Sequence, residues 1–180
     1  MARVTEKRSI VLLHGVVSSQ LTWWRLKPDL LDLGWQVYAV DMLGHGSRHA
    51  SGPGELTVDD LAQDVLAQIP GPVHVLAGHS LGSIVALTLV GLAPGYCDCV
   101  VVEDPPGLGG SLDLRDVADG VEEFVRVARA DPAGTVAALL EENPMWSRLD
   151  AENSVKNRLM LDVVRVAGLL RTDRWNLQAL

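Results

Sequence analysis

Four short runs of β-branched and apolar residues divide the first 102 residues of this chain, and each run leads into a loop that contains Gly, Pro or Asp. Such runs are typical of buried parallel strands. They are Ile10–Leu13, Gln36–Val40, Val73–Ala77 and Cys99–Val102. Helical patterns lie between them, at Pro28–Leu33, Thr57–Ile69 and Leu81–Leu92. This alternation predicts an α/β fold with a doubly wound, mainly parallel sheet.

The strand pattern does not return after Val102. A stretch rich in Pro and Gly, 105–110, is followed by apolar residues at helical spacing. Three such patterns are visible: Val121, Phe124, Val125 and Ala128; Val136, Leu139 and Leu140; and Val155, Leu159, Val163, Ala167 and Leu170. Short amphipathic helices without a core of their own indicate a covering element rather than a separate helical bundle. We therefore expect a core of residues 1–108 and a helical cap, or lid, of residues 109–180, with helices over the strand ends.

Composition and charge exclude several classes of partner. The chain has a formal net charge of −8 and 48% hydrophobic residues, so it lacks the basic face that nucleic acid requires. Its first apolar run is too short for a signal-peptide core, and no apolar stretch is long enough to span a bilayer. Cys97 and Cys99 are too few and too close for a disulfide framework and predict reduced thiols. We expect a cytoplasmic protein without cofactor or metal.

The clearest chemical motif is Gly78-His79-Ser80-Leu81-Gly82, which follows a predicted strand and opens a predicted helix. A sharp strand-to-helix turn strains the backbone of the central serine and needs small residues two positions before and after it, which Gly78 and Gly82 supply. The turn lifts the Ser80 hydroxyl above the sheet edge, at a helix N-terminus where negative charge is favoured. The motif therefore predicts a nucleophile. A glycine-flanked turn with an incidental serine is the alternative.

A second motif, His14-Gly15-Val16, follows the first predicted strand. Acyl transfer needs two backbone N–H donors for the oxyanion, one from the residue after the nucleophile and one from this loop. We expect the Leu81 and Val16 amides to face one small volume beside an exposed Ser80. His14 is a candidate general base, but a histidine before such a glycine more often braces the loop. His79 is expected to point away from the Ser80 hydroxyl.

The third loop, Asp41–Ser47, follows the second predicted strand and contains Gly44 and Gly46. The glycines allow a tight backbone path, and Asp41 is expected to hold that path by accepting local N–H bonds. The loop therefore indicates architecture. A metal site from Asp41, His45 and His49 is the weaker alternative, since their spacing matches no common ligand set.

In this order and at these separations, the three motifs resemble the α/β-hydrolase superfamily, particularly its single-domain esterases, carbon-carbon bond hydrolases and lid-bearing enzymes. The similarity covers roughly residues 9 to 108 and implies an α/β-hydrolase fold, here incomplete, with a helical cap. Serine at position 80 differs from the aspartate nucleophile of the family's dehalogenases and epoxide hydrolases. An acyl-enzyme at Ser80 suits esters, thioesters, amides or activated ketones.

The resemblance also implies an acid and a histidine after later strands, and here the chain departs from it. The five histidines, at 14, 45, 49, 74 and 79, all lie in the first half of the chain, and none occupies the family's base position. We therefore expect the catalytic histidine outside this chain and poor activity of the 180 residues alone. Asp104, after the fourth predicted strand, is a candidate acid, with an ordinary turn as the alternative. An incomplete sheet also predicts self-association through an unpaired edge.

Two classes of function remain open. The first is a serine hydrolase that acts on a small to medium ester or related acyl compound through an acyl-enzyme at Ser80. The second is a non-catalytic, hydrolase-like protein that binds a ligand or partner. A cofactor-free haloperoxidase-like activity would use the same residues, and the sequence does not separate it from the first class.

Overall fold

The computed structural model describes residues 7–106 and 113–172. In this part of the chain, four strands form one sheet in the order β2-β1-β3-β4, and every neighbouring pair is parallel. The strands are β1 (Ser9–Leu13), β2 (Gln36–Ala39), β3 (Val73–His79) and β4 (Cys97–Glu103). The predicted parallel α/β sheet is therefore confirmed, and the loops that follow its strands meet at one edge.

Three helices connect the strands: α1 (Leu26–Asp32), α2 (Val58–Gln68) and α3 (Leu81–Leu92). Helix α2 begins with a capping box, in which the Thr57 hydroxyl accepts from the Asp60 amide and the Asp60 carboxylate accepts from the Thr57 amide. Helix α3 is the most apolar of the three and buries seven of its residues. Across residues 7–106 and 113–172, no helix combines the length and the apolarity needed to cross a bilayer.

The third and fourth strands are longer than their apolar runs predict. Strand β3 continues through Gly78 to His79, and β4 begins two residues earlier than expected, at Cys97. Gly78 pairs with Val102 and His79 with Glu103. Neither glycine nor histidine has strong strand propensity, so the ladder with β4 keeps this segment extended as far as Ser80.

Four helices, rather than the three expected, follow the sheet in the described part of the chain. They are α4 (Leu114–Ala130), α5 (Pro132–Glu142), α6 (Arg148–Leu159) and α7 (Val163–Arg171). The last predicted pattern is interrupted at Leu161, which forms an antiparallel bridge with His45, and Asp162 then caps α7. The predicted boundary between core and cap, at 108/109, lies outside the described residues.

The C-terminal helices, α4 to α7, pack in two different ways. Residues of α4 and α7, among them Val121, Val125 and Val166, belong to the same hydrophobic cluster as the sheet and α3. Helices α5 and α6 form a small cluster with Ala128 of α4. Helices α6 and α7 also contact the loops that follow β1 and β2, so they lie at the carboxyl edge of the sheet.

Candidate active site

Ser80 lies in the turn between β3 and α3, with φ of 50° and ψ of −115°. Such a conformation is strained for a residue with a side chain and persists only when neighbouring contacts hold it. Here the Ser80 amide donates to the Glu103 carbonyl at 2.9 Å, and the Ser83 amide donates to the Ser80 carbonyl at 2.9 Å. The Ser80 side chain is partly exposed and caps no amide of the helix. The turn therefore presents an uncommitted hydroxyl.

The two glycines of the motif stand where no side chain fits. A Cβ on Gly78 would lie 2.1 Å from the Gly82 carbonyl oxygen, and a Cβ on Gly82 would lie 2.3 Å from the Leu13 carbonyl oxygen. All of these atoms belong to the backbone, which has no flexible end to move aside. The requirement for glycine therefore comes from the close approach of β1, β3 and α3.

Ser83 also holds this turn, although the sequence analysis did not single it out. It is fully buried, and its hydroxyl donates to the Gly78 carbonyl at 2.6 Å and lies 3.1 Å from the Glu103 carbonyl. These contacts join the end of β3 to the end of β4 directly beneath Ser80. The sequence signal that could have identified Ser83 is a small hydroxyl residue in the first turn of an apolar helix, because a buried hydroxyl needs a hydrogen-bond partner.

The two amides expected to bind an oxyanion lie beside Ser80. Leu81 follows it directly, and Val16 follows Gly15, on which a Cβ would lie 3.5 Å from the Ser80 Cβ. Among the described residues, neither the Val16 nor the Leu81 amide has a hydrogen-bond acceptor. The fold therefore places the Gly15–Val16 peptide and Leu81 next to Ser80.

His14 is fully buried and both of its ring nitrogens are engaged. Nδ1 lies 2.8 Å from the Gly15 carbonyl, and Nε2 accepts from the Met42 amide at 3.2 Å. Nε2 must be unprotonated to accept, so Nδ1 carries the proton and the ring is neutral. Burial, reinforced by the nearby His45, lowers the pKa of His14 to about 3. This geometry braces the loop and leaves no nitrogen for Ser80.

His45 braces the same loop from the other side. Its Nε2 lies 2.7 Å from the Val16 carbonyl and its Nδ1 lies 2.9 Å from the Leu43 carbonyl, while the ring packs 4.9 Å from the ring of His14. Burial lowers the pKa of His45, against the raising effect of the two carbonyl contacts. The side chain considered above for a metal site therefore positions the Val16 peptide.

Asp41 joins the loops after β1 and β2. Its carboxylate accepts from the Ser47 amide and the Gln20 amide, each at 2.8 Å, and from the Ser47 hydroxyl at 2.7 Å. Burial by itself would raise the pKa of Asp41, but these hydrogen bonds outweigh it and the pKa lies below its usual value of 3.8. The local bond to Ser47 agrees with the expectation for this loop, whereas the bond to Gln20 crosses between loops.

Among the described residues, none of the remaining histidines has a hydrogen bond to Ser80. His74 accepts from the Ser9 amide, and His49 lies 3.1 Å from the Gly46 carbonyl. The His79 ring lies against Gly15, where its Nδ1 would be 2.9 Å from an added Cβ. Asp104 is exposed, directly after β4, with φ of 47°. Over the described ranges, no hydrogen bond joins Ser80, an imidazole and an acid into a relay.

Comparison with known proteins identifies the family of this chain. A family model described as alpha/beta hydrolase fold matches residues 8–178. The acetyltransferase component of the acetoin cleaving system of Pseudomonas putida is 30% identical over 167 residues, which are 86% of this chain and 44% of that protein. Lipase LipV of Mycobacterium tuberculosis is 34% identical over 149 residues, 79% of this chain and 55% of the lipase. The chain thus spans about half the length of these curated relatives.

A solved structure shows the same fold at lower identity. The N-formylmaleamic acid deformylase of Pseudomonas putida superposes with a TM-score of 0.69 at 22% identity, over 94% of this chain and 68% of that one. The strained serine between two obligatory glycines, the parallel sheet beneath it and the family match over nearly the whole chain lead to one conclusion. This chain belongs to the alpha/beta hydrolase family.

Proposed function

We propose that this chain carries the nucleophile of a serine hydrolase that cleaves carboxylic esters or related acyl compounds. The observation that carries the proposal is the Ser80 turn, whose strained backbone presents a hydroxyl that makes no hydrogen bond to the described residues, next to the Gly15–Val16 peptide and Leu81. The match to a lipase supports esters as the substrate class. The hydrolase family supports a hydrolytic outcome.

In the proposed reaction, the Ser80 Oγ attacks the ester carbonyl and the developing oxyanion accepts hydrogen bonds from the Val16 and Leu81 amides. The N-terminus of α3 adds a favourable electrostatic field at the same point. The alcohol leaves with the proton taken from Ser80, and water then hydrolyses the acyl-serine and restores the Ser80 hydroxyl. His14 and His45 contribute by holding the Gly15 and Val16 peptides in place, since their nitrogens contact the carbonyls of those residues.

The base that accepts the serine proton is assigned to an imidazole other than the five in these 180 residues. His14 is buried and hydrogen-bonded through both nitrogens, His45 is buried with both nitrogens against backbone carbonyls, and His74 accepts from the Ser9 amide. Asp104, at the end of β4, is the candidate acid that would orient such an imidazole. Asp104 is exposed at the carboxyl edge of the sheet, so its carboxylate is accessible to such an imidazole.

The C-terminal helices are assigned the role of a lid. Helix α6 bonds to the loop after β1 through Asn157 and Ser19, and the Asp162 amide donates to the Gly44 carbonyl in the loop after β2. Both loops stand at the edge where Ser80 projects. A cover at this edge would exclude water from the acyl-enzyme and shape the substrate site.

Hydrolysis of p-nitrophenyl acetate tests the function. We expect Ser80-dependent turnover by a longer version of the chain that continues past Leu180, and a rate at least about 10³-fold lower for the 180 residues alone, because serine without a base is a weak nucleophile. Ser80→Ala in both lengths is the control.

Fast Ser80-dependent turnover by the short form would contradict the assignment of the base, and His14→Gln would then be the first variant to assay. Absence of Ser80-dependent turnover from both lengths would favour the second class, a hydrolase-like protein that binds a ligand or partner without catalysis.

A further inference from the structure

An open cavity of about 250 Å³ lies between the loop after β1 and helix α6. Val17 and Ser18 line it from the loop, and Ser154 and Asn157 line it from the helix. Val17 is only two residues beyond Gly15, which packs against Ser80. Since consecutive Cα atoms are about 3.8 Å apart, the Cα of Val17, a lining residue, lies within about 8 Å of the Gly15 Cα. The cavity is therefore close enough to receive part of a substrate whose ester lies at Ser80.

The orientation of the Asn157 amide is determined by Ser19. The Ser19 hydroxyl oxygen accepts from the Leu21 amide at 3.1 Å and lies 2.5 Å from the Asn157 Oδ1. A contact this short suits an O–H donor and an oxygen acceptor, and it is too short for an N–H donor. The Asn157 carbonyl oxygen therefore faces Ser19, and its Nδ2 points the other way.

Among the described residues, the Asn157 Nδ2 has no hydrogen-bond acceptor. Asn157 is 4% exposed, and its Nδ2 has no hydrogen bond to any described residue. In the described part of the chain, the side-chain nitrogen or oxygen atoms that are both shielded from solvent and without a hydrogen bond belong to Trp23, Arg48 and Arg158. The Asn157 Nδ2 is not among them, so it is accessible to solvent. The Asn157 Nδ2 is therefore reached from the cavity that this residue lines. Its two N–H groups need an acceptor, which water or a ligand can supply.

The charge of the cavity wall disfavours an anion. Asp150 is the charged side chain among the lining residues of this cavity, and no lysine or arginine lines it. Its oxygens already accept from Arg25, Ser147 and the Trp24 indole, and the ion pair with Arg25 is the main cause that lowers the Asp150 pKa. Trp24 and Trp146 add apolar surface. A carboxylate placed here would find no cation to pair with, since Arg25 is already paired with Asp150, whereas an uncharged carbonyl would meet an amide donor.

We propose that this cavity is the acyl subsite, and that it takes an acyl chain with an uncharged hydrogen-bond acceptor, such as a ketone or amide carbonyl, to which the Asn157 Nδ2 donates. The inference rests on the proposed function, because Ser80 defines which part of the ligand is the acyl carbonyl. Asn157 thereby determines specificity, since a buried amide that loses its acceptor discriminates against the purely alkyl analogue.

Binding of three methyl esters to the Ser80→Ala chain, followed by NMR titration, tests the proposal without requiring turnover. Methyl 4-oxopentanoate carries the ketone, methyl 4-methylpentanoate replaces its oxygen by a methyl group, and monomethyl succinate carries a carboxylate. We expect the ketone to bind about tenfold more tightly than either analogue, the effect of one good hydrogen bond. The Asn157 side-chain amide signals should shift with the ketone.

Asn157→Asp, added to the same chain, retains an acceptor for Ser19 and removes the donor, and it should abolish the preference for the ketone. Asn153→Asp adds the same charge to the same cavity but leaves Asn157 intact, and it should retain the preference. If the aspartate at 157 prevents folding, Asn157→Ala replaces it with the same expected loss.

Equal affinities for the ketone and the branched alkyl ester would overturn the proposal, as would a preference that survives Asn157→Asp or Asn157→Ala. These outcomes are independent of catalysis. A failed p-nitrophenyl acetate assay combined with a retained ketone preference would count against Ser80 as nucleophile and leave the binding site standing.

Discussion

At Gly82, the first turn of α3 approaches the carbonyl oxygens of Leu13 and His14 so closely that a Cβ would lie 2.3 Å and 2.8 Å from them. Gly82→Ala must therefore move backbone of β1 or α3. We expect it to lower the free energy of unfolding by more than about 2 kcal/mol, as overpacking against backbone does. Urea unfolding followed by circular dichroism measures the loss.

Gly91 in the same helix is the matched control, because an added Cβ there meets nothing within 4 Å. Gly91→Ala should raise the free energy of unfolding by up to about 1 kcal/mol through helix propensity and reduced freedom of the unfolded chain. Equal effects of the two substitutions would show that α3 does not approach β1 closely enough at Gly82 to exclude a Cβ.

A second residue-scale prediction concerns His14, whose pKa is lowered by burial from 6.5 to about 3. The unfolded chain therefore takes up a proton at a higher pH than the folded chain. The contribution of His14 to stability is complete above pH 6.5 and decreases, by a few kcal/mol, as the pH falls towards 3. His14→Gln provides one donor and one acceptor without this titration. It should be less stable than the natural chain at pH 8 but show a shallower loss between pH 6.5 and 4.

Urea midpoints across this pH range provide the measurement. His45 is also buried with a lowered pKa, so some acid sensitivity should persist in the variant. An unchanged pH dependence in His14→Gln would show that His14 is not held neutral.

At the scale of elements, one side chain makes several hydrogen bonds between α7 and the loop after β2. The Arg165 guanidinium donates to the carbonyls of His49, Ser51 and Pro53, and also to the Asp162 carboxylate that caps the helix. Its side chain is 12% exposed. Arg165→Met would leave these acceptors without a donor, and we expect a loss of about 2 to 3 kcal/mol with faster hydrogen exchange in the loop.

Arg148 on α6 is the control for Arg165. It pairs with Glu152 at 3.6 Å, and its side chain is 75% exposed. Arg148→Met should change the free energy of unfolding by no more than about 0.5 kcal/mol, since exposed ion pairs contribute little. Thermal unfolding of both variants compares them. A loss from Arg165→Met as small as that from Arg148→Met would mean that the helix is held by its apolar face alone.

At the scale of the whole molecule, the sheet has an exposed strand at one side. Among the described residues β4 pairs only with β3, and its Val101 and Val102 are 48% and 40% exposed. Unpaired edges with apolar side chains invite pairing with another chain. We expect self-association that increases with concentration, and Val101→Lys should shift the chain towards monomer in sedimentation velocity.

Val164→Lys on α7 makes the same substitution at a residue that is 78% exposed and not part of the sheet. It should leave the sedimentation pattern unchanged. A natural chain that remains monomeric at every concentration, or an equal response to both lysines, would contradict association through β4.

The sequence by itself determined the features whose causes are local. Apolar runs predicted the four strands of the described sheet, and a glycine-flanked serine between strand and helix predicted the Ser80 turn. Each depends on residues a few positions apart, so propensity and spacing are sufficient.

Only the tertiary structure decided which side chains serve this turn from a distance. His45 reaches Val16 across 29 positions, and Ser19 orients Asn157 across 138. The extension of β3 to His79 depends on pairing with β4, and the unpaired state of the Asn157 Nδ2 depends on how α6 lies against the loop after β1. Hydrogen bonds and burial between segments far apart in the chain have no local signature, because the side chains meet only after the sheet and helices have packed.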